Sequence, residues 1–447
     1  MKKIICLLSI ILFLVGIGAT VSAQEKVLLH PVTGKSVAYG GRFSNAKVTV
    51  PVVYKTKARE MRGVWVATVK NIDFAQHNSA EEFKRDYLAM VDNLQELNFN
   101  AIFFQVRPMN DAFYPSKLNP WSRWMTGKEG KSLENFDPLA FMVAEAHKRN
   151  LEFHAWLNPY RVVGSTKQKK SEYLKTLDNK NFAKRNAQLV LALTNKDKSF
   201  SLLLNPGEPQ VMRHILNTVQ EIVQNYPVDA IHFDDYFYPH IKLGNSDLHT
   251  FLKYNPRNLS LENWRRANVN SLIYAVKQNI SQHNRKSGRK VAFGVSPFGI
   301  WANKKDIKPG SLTDGTSSYS RHYADSRAWV KNNWVDYIVP QLYWSFSKDI
   351  AAYAALADWW SNLVKGTKVN LYIGQAAYRL GSGDLWHKGE LADQLRYNSK
   401  LSDIKGSVIY SYRSIFAPLN PIMKEGAFRV LKSYWHTPVP CPPCNNL

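Results

Sequence analysis

From Arg62 onward, short apolar runs that end in polar residues alternate with stretches of helical length whose apolar positions recur every three or four residues. A parallel strand is buried on both faces and its crossover helix on one, so this alternation is the pattern of repeated βαβ units. The runs that fit strands are RGVWVAT from Arg62, AIFFQVRP from Ala101, LEFHAWLNP from Leu151 and VDAIHFDDYFYP from Val228. They continue with KVAFGVSPFG from Lys290, WVDYIVPQLYW from Trp334, VNLYIGQAAYR from Val369 and GSVIYSYRS from Gly406, which makes eight. Between them, EEFKRDYLAMVDNLQEL, PLAFMVAEAHKR, EPQVMRHILNTVQEIVQNY and LENWRRANVNSLIYAVKQNI carry helical spacing.

Eight such units predict an α/β protein, a (β/α)8 TIM barrel with long loops on its carboxyl-terminal face. An open dinucleotide-binding sheet would need a glycine-rich phosphate loop after the first strand, and none is present. The longest connections follow the second strand (Asn110 to Asp137), the third (Tyr160 to about Gln188) and the fourth (His240 to Leu261). All lie on the face where barrel active sites form.

The flanks differ in character. Residues 24–58 alternate turn residues with short β-branched runs such as KVTVPVVY and are read as an N-terminal strap, leaving the barrel domain over 59–434. Residues 435–447 are expected to be a flexible tail. Cys441 and Cys444 in VPCPPCNNL have CxxC spacing, but one such pair is half of a structural zinc set and lacks a thioredoxin-like βαβ context. The opening MKKIICLLSIILFLVGIGATVSA has a lysine pair, an apolar run short for a membrane span and the small-x-small site Val21-Ser22-Ala23. Residues 1–23 therefore read as a signal peptide cut before Gln24. Cys6 lies inside the apolar run and no Cys stands at the cleavage point, so a lipid anchor finds no acceptor. The expectation is an exported protein of the periplasm or cell envelope, with no stable membrane insertion after cleavage.

Composition narrows the partners. The apolar fraction of 45% is enough for a large core, and the formal charge of +24 becomes +22 once Lys2 and Lys3 are removed (24 − 2). Such a balance serves solubility and suits an acidic partner: nucleic acid, an anionic membrane surface or an acidic polysaccharide. Export and the dispersal of the lysines argue against nucleic acid. An anionic membrane surface and an acidic polysaccharide stay open.

Side chains alternate along a strand, so parity sorts each one into two sets. Ile102, Phe104 and Val106 fall opposite Phe103, Gln105 and Arg107; His154, Trp156 and Asn158 share a face, as do His232 with Asp234 and Gln341 with Tyr343. Each strand thus has a set that turns polar towards its carboxyl end. Polar groups in a barrel mouth cost about 1–3 kcal/mol each unless they bond to one another or to a ligand. Gln105, Arg107, Asn158, Tyr160, Asp234, Ser296, Gln341 and Tyr343 therefore read as one network. Asp234 and Asp235 are the adjacent carboxylates at a strand end, and like charges push their pKa values apart, leaving one protonated near neutral pH. Cleavage of a glycosidic bond needs that: an acid for the leaving oxygen and a second group to support an oxocarbenium-like centre. Aromatic residues crowd the same loops, among them Tyr160, Tyr236, Trp344 and Tyr378, and their rings suit the C–H faces of sugars.

The segments EMRGVWVATVKNIDF, FFQVRPMNDAFYPS, AWLNPYR, LLLNPGEPQV, IHFDDYFYP and VPQLYW together resemble glycosyl-hydrolase-like family 10. The resemblance runs from about Arg59 to Tyr434. It implies a TIM-barrel glycosidase of the cell envelope acting on bacterial cell-wall glycan, in particular peptidoglycan strands stripped of their peptides. By position it implies Arg107, Asp111, Asn158, Asp234, Asp235, Gln341 and Tyr343 as active-site residues.

Asp235 is assigned as general acid and Asp234 as the group that orients or stabilises the developing positive charge, with the two roles open to exchange. Asp111 is the rival second acid. Substrate-binding positions are Gln105, Arg107, Asn158, Tyr160, Tyr236, Ser296, Gln341, Tyr343 and Trp344. His154 and His232 belong to no HExxH or similar cluster and read as hydrogen-bonded core histidines, so no metal or other cofactor is expected. Two alternatives stay open: a glycosidase or transglycosylase on neutral glucans, for which SPFGIWAN lacks an amylase-like acid, and a non-catalytic glycan-binding barrel.

Overall fold

Eight parallel strands close into a barrel in the computed structural model, which describes residues 24–241 and 243–444. They are β1 (Met61–Val66), β2 (Ala101–Arg107), β3 (Glu152–Leu157), β4 (Ala230–Phe233), β5 (Ala292–Val295), β6 (Tyr337–Ile338), β7 (Asn370–Ala376) and β8 (Ile404–Tyr410). Each pairs with its neighbours in chain order, and β8 returns to β1. All eight fall on the runs read from the sequence. The middle three are shorter than those runs because Asp234 and Asp235 leave the ladder and because Pro297 and Pro340 have no N–H to donate.

The helices start where local chemistry favours them. Ser79 caps α1 (Ala80–Glu96) by accepting from the Glu82 amide, Asp137 caps α2 (Pro138–Lys148), and proline opens both α2 and α3 (Pro209–Asn225). The long α4 (Leu261–Ser287) is capped by Ser260 and stops at Gly288 in the left-handed region. The strand residues facing these helices, including Val64, Ile102, Phe104, Phe153, Ile231 and Phe293, are buried in one continuous core.

The inward faces carry a separate cluster of Met61, Trp65, Phe103, Trp156, Tyr337 and Val408. At its centre the Tyr337 hydroxyl lies 2.9 Å from His154 Nδ1 and 3.2 Å from His232 Nδ1, and His232 Nε2 lies 3.0 Å from Ser296 Oγ. Both histidines are thus hydrogen-bonded core groups, as expected. Gly294 makes room for this arrangement, since a Cβ there would overlap the Tyr337 ring. Gly294→Ala is therefore expected to lower stability by about 1–3 kcal/mol, the usual cost of overpacking. Denaturant unfolding checks this, and an unchanged midpoint would contradict it.

The connection after β3 contains a small antiparallel sheet, Arg161–Thr166, Val190–Thr194 and Phe200–Leu204, which the strand reading did not include. It stands on the carboxyl-terminal rim and positions Arg161 beside β4. The strap pairs Glu25–Val27 with Thr49–Pro51, and its Lys400 contact (2.6 Å to the Thr49 carbonyl) ties it to the helix Glu390–Lys400.

The tail differs from the flexible segment expected. Residues through Cys444 run across the amino-terminal end of the barrel. Arg62 donates to the Thr437 carbonyl (2.7 Å), Asn100 to that of Val439 (2.9 Å) and Asn370 to that of Pro443 (2.9 Å). Cys441 and Cys444 are unpaired and pack against the inward cluster. Barrel-end polar groups fix the proline-rich backbone, which has few N–H groups of its own to satisfy. The proposed leader, residues 1–23, lies outside the described residues. Among the described residues no helix is long and apolar enough to cross a membrane.

Candidate active site

An open cleft of about 570 Å³ occupies the carboxyl-terminal mouth of the barrel. That lies within the roughly 300–1,000 Å³ of a typical small-molecule site. Its walls are rich in rings: Trp65, Trp156, Tyr236, Phe298, Tyr343, Tyr378 and Tyr410. The last three tyrosines stand together, with ring centroids 5.8–6.1 Å apart. Lys70 and Arg161 add positive charge, and the Arg161 guanidinium lies 4.0 Å over the Tyr236 ring.

Asp234 and Asp235 enter this cleft from the end of β4, and no other carboxylate lines it among the described residues. Their surroundings differ. Asp234 is buried and accepts from Trp156 Nε1 at 3.1 Å, from Asn158 Nδ2 at 3.0 Å to each oxygen, and from the Tyr236 amide at 3.2 Å. Burial raises its pKa to about 6; the nearby Arg161 charge and the donated hydrogen bonds oppose that rise, while Asp235 adds to it. Asp235 is also raised by burial, with Gln341, His240 and Arg161 pulling it back. One carboxylate is therefore clamped by donors that favour its ionised form, and its neighbour has fewer such partners. This is the asymmetry an acid and a stabilising base need.

The remaining cleft residues complete the picture. Gln105 accepts the Thr68 and Val69 amides (3.1 and 3.0 Å) through Oε1, while its Nε2 is buried without a partner. Gln341 donates to the Ser296 carbonyl at 2.9 Å and stands beside Asp235. Gln105, Tyr236, Ser296, Gln341 and Tyr343 all line the cleft.

Other positions lie elsewhere. Arg107 is fully buried; its guanidinium donates to the Asn158 carbonyl (2.6 Å) and to Asn110 Oδ1 (2.8 Å), so it braces the loop after β3 and does not line the cleft. The register shift between Gln105 and Arg107 on β2 accounts for its departure from the inward face. Asp111 is buried too, accepting from Ser122 Oγ (2.6 Å) and the Met109 amide (3.0 Å), and neither oxygen faces the cleft. Asn158 reaches the site through Asp234. Tyr160 lines an adjoining apolar recess with Val163, Leu202 and Leu203. Trp344 packs edge-on against Phe298 at 5.4 Å.

Sequence spacing missed Arg161, Lys70 and His240, because none stands on a barrel strand whose parity would fix its direction. It also missed a possible ligand set. Asp235, His240 and His322 place their ligand atoms within 4.8 Å of one another, although His322 is distant in the chain.

Comparisons with known proteins agree with this architecture. The family model described as "Glycosyl hydrolase-like 10" matches residues 60–388. "Glycosyl hydrolase YngK" of Bacillus subtilis (strain 168) is 40% identical over 82% of this chain and 71% of its own length. "Glycosyl hydrolase DigH" of Escherichia coli (strain K12) is 37% identical over 86% of this chain and 89% of its own. Among solved structures, the PgaB (BpsB) glycoside hydrolase domain from Bordetella bronchiseptica superposes with a TM-score of 0.51 at 12% identity, covering 83% of this chain and 99% of that one. At that identity the likeness speaks for the fold alone. The family match spans most of the barrel and two relatives align over most of both chains, so the chain belongs to the glycosyl hydrolase-like 10 family, an enzyme family of the glycoside hydrolase class.

Proposed function

We propose that the chain is an exported glycoside hydrolase that cleaves bacterial envelope glycan, with peptide-free peptidoglycan strands as its substrate. The observation that carries this reading is the isolation of Asp234 and Asp235 as the acidic pair of an aromatic cleft. Asp235 serves as general acid: its proton passes to the glycosidic oxygen as the bond from that oxygen to the anomeric carbon breaks. With no second acid lining the cleft among the described residues, the nucleophile comes from the substrate. The 2-acetamido oxygen of an N-acetylated sugar attacks the anomeric carbon, and the Asp234 carboxylate, held by Trp156 and Asn158, orients the amide and offsets the developing positive charge. Water then opens the ring as Asp235 takes back a proton. Asn158 and Arg107 act as positioning residues, one through Asp234 and the other through the Asn158 backbone.

Lys70 and Arg161 in the cleft, and the excess of basic residues in the whole chain, support an acidic glycan. Affinity for peptide-free strands is expected to fall with salt, since charges more than about 10 Å apart are screened at 0.1 M. Binding that is unchanged between low and high salt would contradict the electrostatic part of the reading. The chemistry above uses no metal, so turnover is expected to survive chelation. The substrate itself is tested by incubating the protein with peptide-free and intact peptidoglycan and identifying products by mass spectrometry. Shortened saccharides from the peptide-free strands are expected. Binding without products points to a non-catalytic barrel, and cleavage of neutral glucans alone overturns the substrate assignment.

A further inference from the structure

The histidine pair beside Asp235 has no part in the chemistry described so far. His322 is buried, with 1% of its surface exposed, and its Nδ1 lies 2.7 Å from the Tyr238 carbonyl oxygen. A carbonyl only accepts, so Nδ1 carries the ring proton and a neutral ring leaves Nε2 with a lone pair. That Nε2 is buried and has no hydrogen-bond partner. Metal-ligating histidines are oriented in this way, one nitrogen donating to a backbone carbonyl and the other left free for the ion. His240 packs edge to face against His322, with centroids 4.2 Å apart, and is itself exposed at the cleft wall.

We propose that Asp235, His240 and His322 bind one divalent transition-metal ion, and that the ion blocks turnover by occupying the general acid. The blocking half rests on the hydrolase reading above. Ligand atoms around a tetrahedral ion at about 2.0–2.1 Å stand about 3.3–3.4 Å apart. The observed spread of up to 4.8 Å is close to this, and the exposed His240 ring can swing to close it. Two imidazoles and one carboxylate suit zinc-like ions over magnesium or calcium, which prefer all-oxygen sets. A carboxylate coordinated to a metal has no proton to give a glycosidic oxygen. Metal binding and catalysis at Asp235 are then mutually exclusive, and the three protein ligands leave the ion's remaining position open to the cleft.

The test titrates Zn²⁺ into the purified protein in competition with a chromogenic zinc chelator, with Mg²⁺ as a control. One zinc per chain is expected, Mg²⁺ should not displace it, and His240→Gln and His322→Gln should each weaken binding at least tenfold. No binding, or variants that hold zinc as tightly as the native chain, overturns the site. Should His322→Gln fail to fold, His240→Gln at its exposed position decides the matter. In a second arm, zinc should halt cleavage of peptide-free strands, a chelator should restore it, and His240→Gln should need at least tenfold more zinc. Binding without inhibition overturns the blocking role. Absence of turnover in the zinc-free native protein overturns the hydrolase reading and leaves the binding result standing.

Discussion

Replacing Asp235 by Asn is expected to lower turnover on peptide-free glycan strands at least about 10²-fold, the low end for loss of an acid/base group, with far less effect on substrate binding. The amide keeps the shape of the side chain and cannot protonate the leaving oxygen. Asp234→Asn should cost at least as much for a different reason. Trp156, Asn158 and the Tyr236 amide all donate to this carboxylate, so an amide nitrogen in its place meets donors as well as losing the charge. Kinetics at saturating and limiting substrate separate the two effects: kcat falls and KM moves little. Near-native turnover in both variants would remove the pair from the mechanism.

Asp111→Ala is expected to act on stability and leave the chemistry in place. Its carboxyl is raised to about 6, first by burial, and its oxygens satisfy Ser122 Oγ and the Met109 amide. Truncation leaves both donors buried and opens a cavity, a combined loss of about 2–4 kcal/mol. Denaturant unfolding should show that loss, while kcat of the folded variant stays within about threefold of native. A stable variant with turnover reduced 10²-fold would return Asp111 to the role of second acid.

The contrast between Asp234 and Asp111 shows what the sequence could and could not carry. Strand positions were legible because a period of two sorts Ile102, Phe104 and Val106 from Phe103 and Gln105, and the barrel buries the two sets in separate cores. The same parity brought Asp234, Gln341 and Tyr343 to the mouth. It failed at Arg107, one residue past the register shift on β2, where the side chain turns beneath the next loop. Loop residues were out of reach for a related reason. Asp111 and Arg161 both follow a strand closely, yet hydrogen bonds to Ser122 bury one and a small antiparallel sheet carries the other over the cleft. The order in the tail depends on Arg62, Asn100 and Asn370, partners too remote in sequence for its proline-rich composition to reveal.

The division of labour between the two acids is tested most directly by the pH dependence of turnover on peptide-free strands. Asp234 must be ionised to act, so activity should rise as pH climbs through about 6, where its burial-raised pKa lies. Asp235 must keep its proton, and burial raises it as well, so activity should fall again at higher pH as that proton is lost. The coupled pair therefore predicts a bell, whose limbs belong to the pair as a whole. In Asp234→Asn the residual activity should lose its acidic limb and keep the alkaline one. A native profile that stays flat from pH 4 to 9, roughly the range over which such carboxyls titrate, would contradict the account.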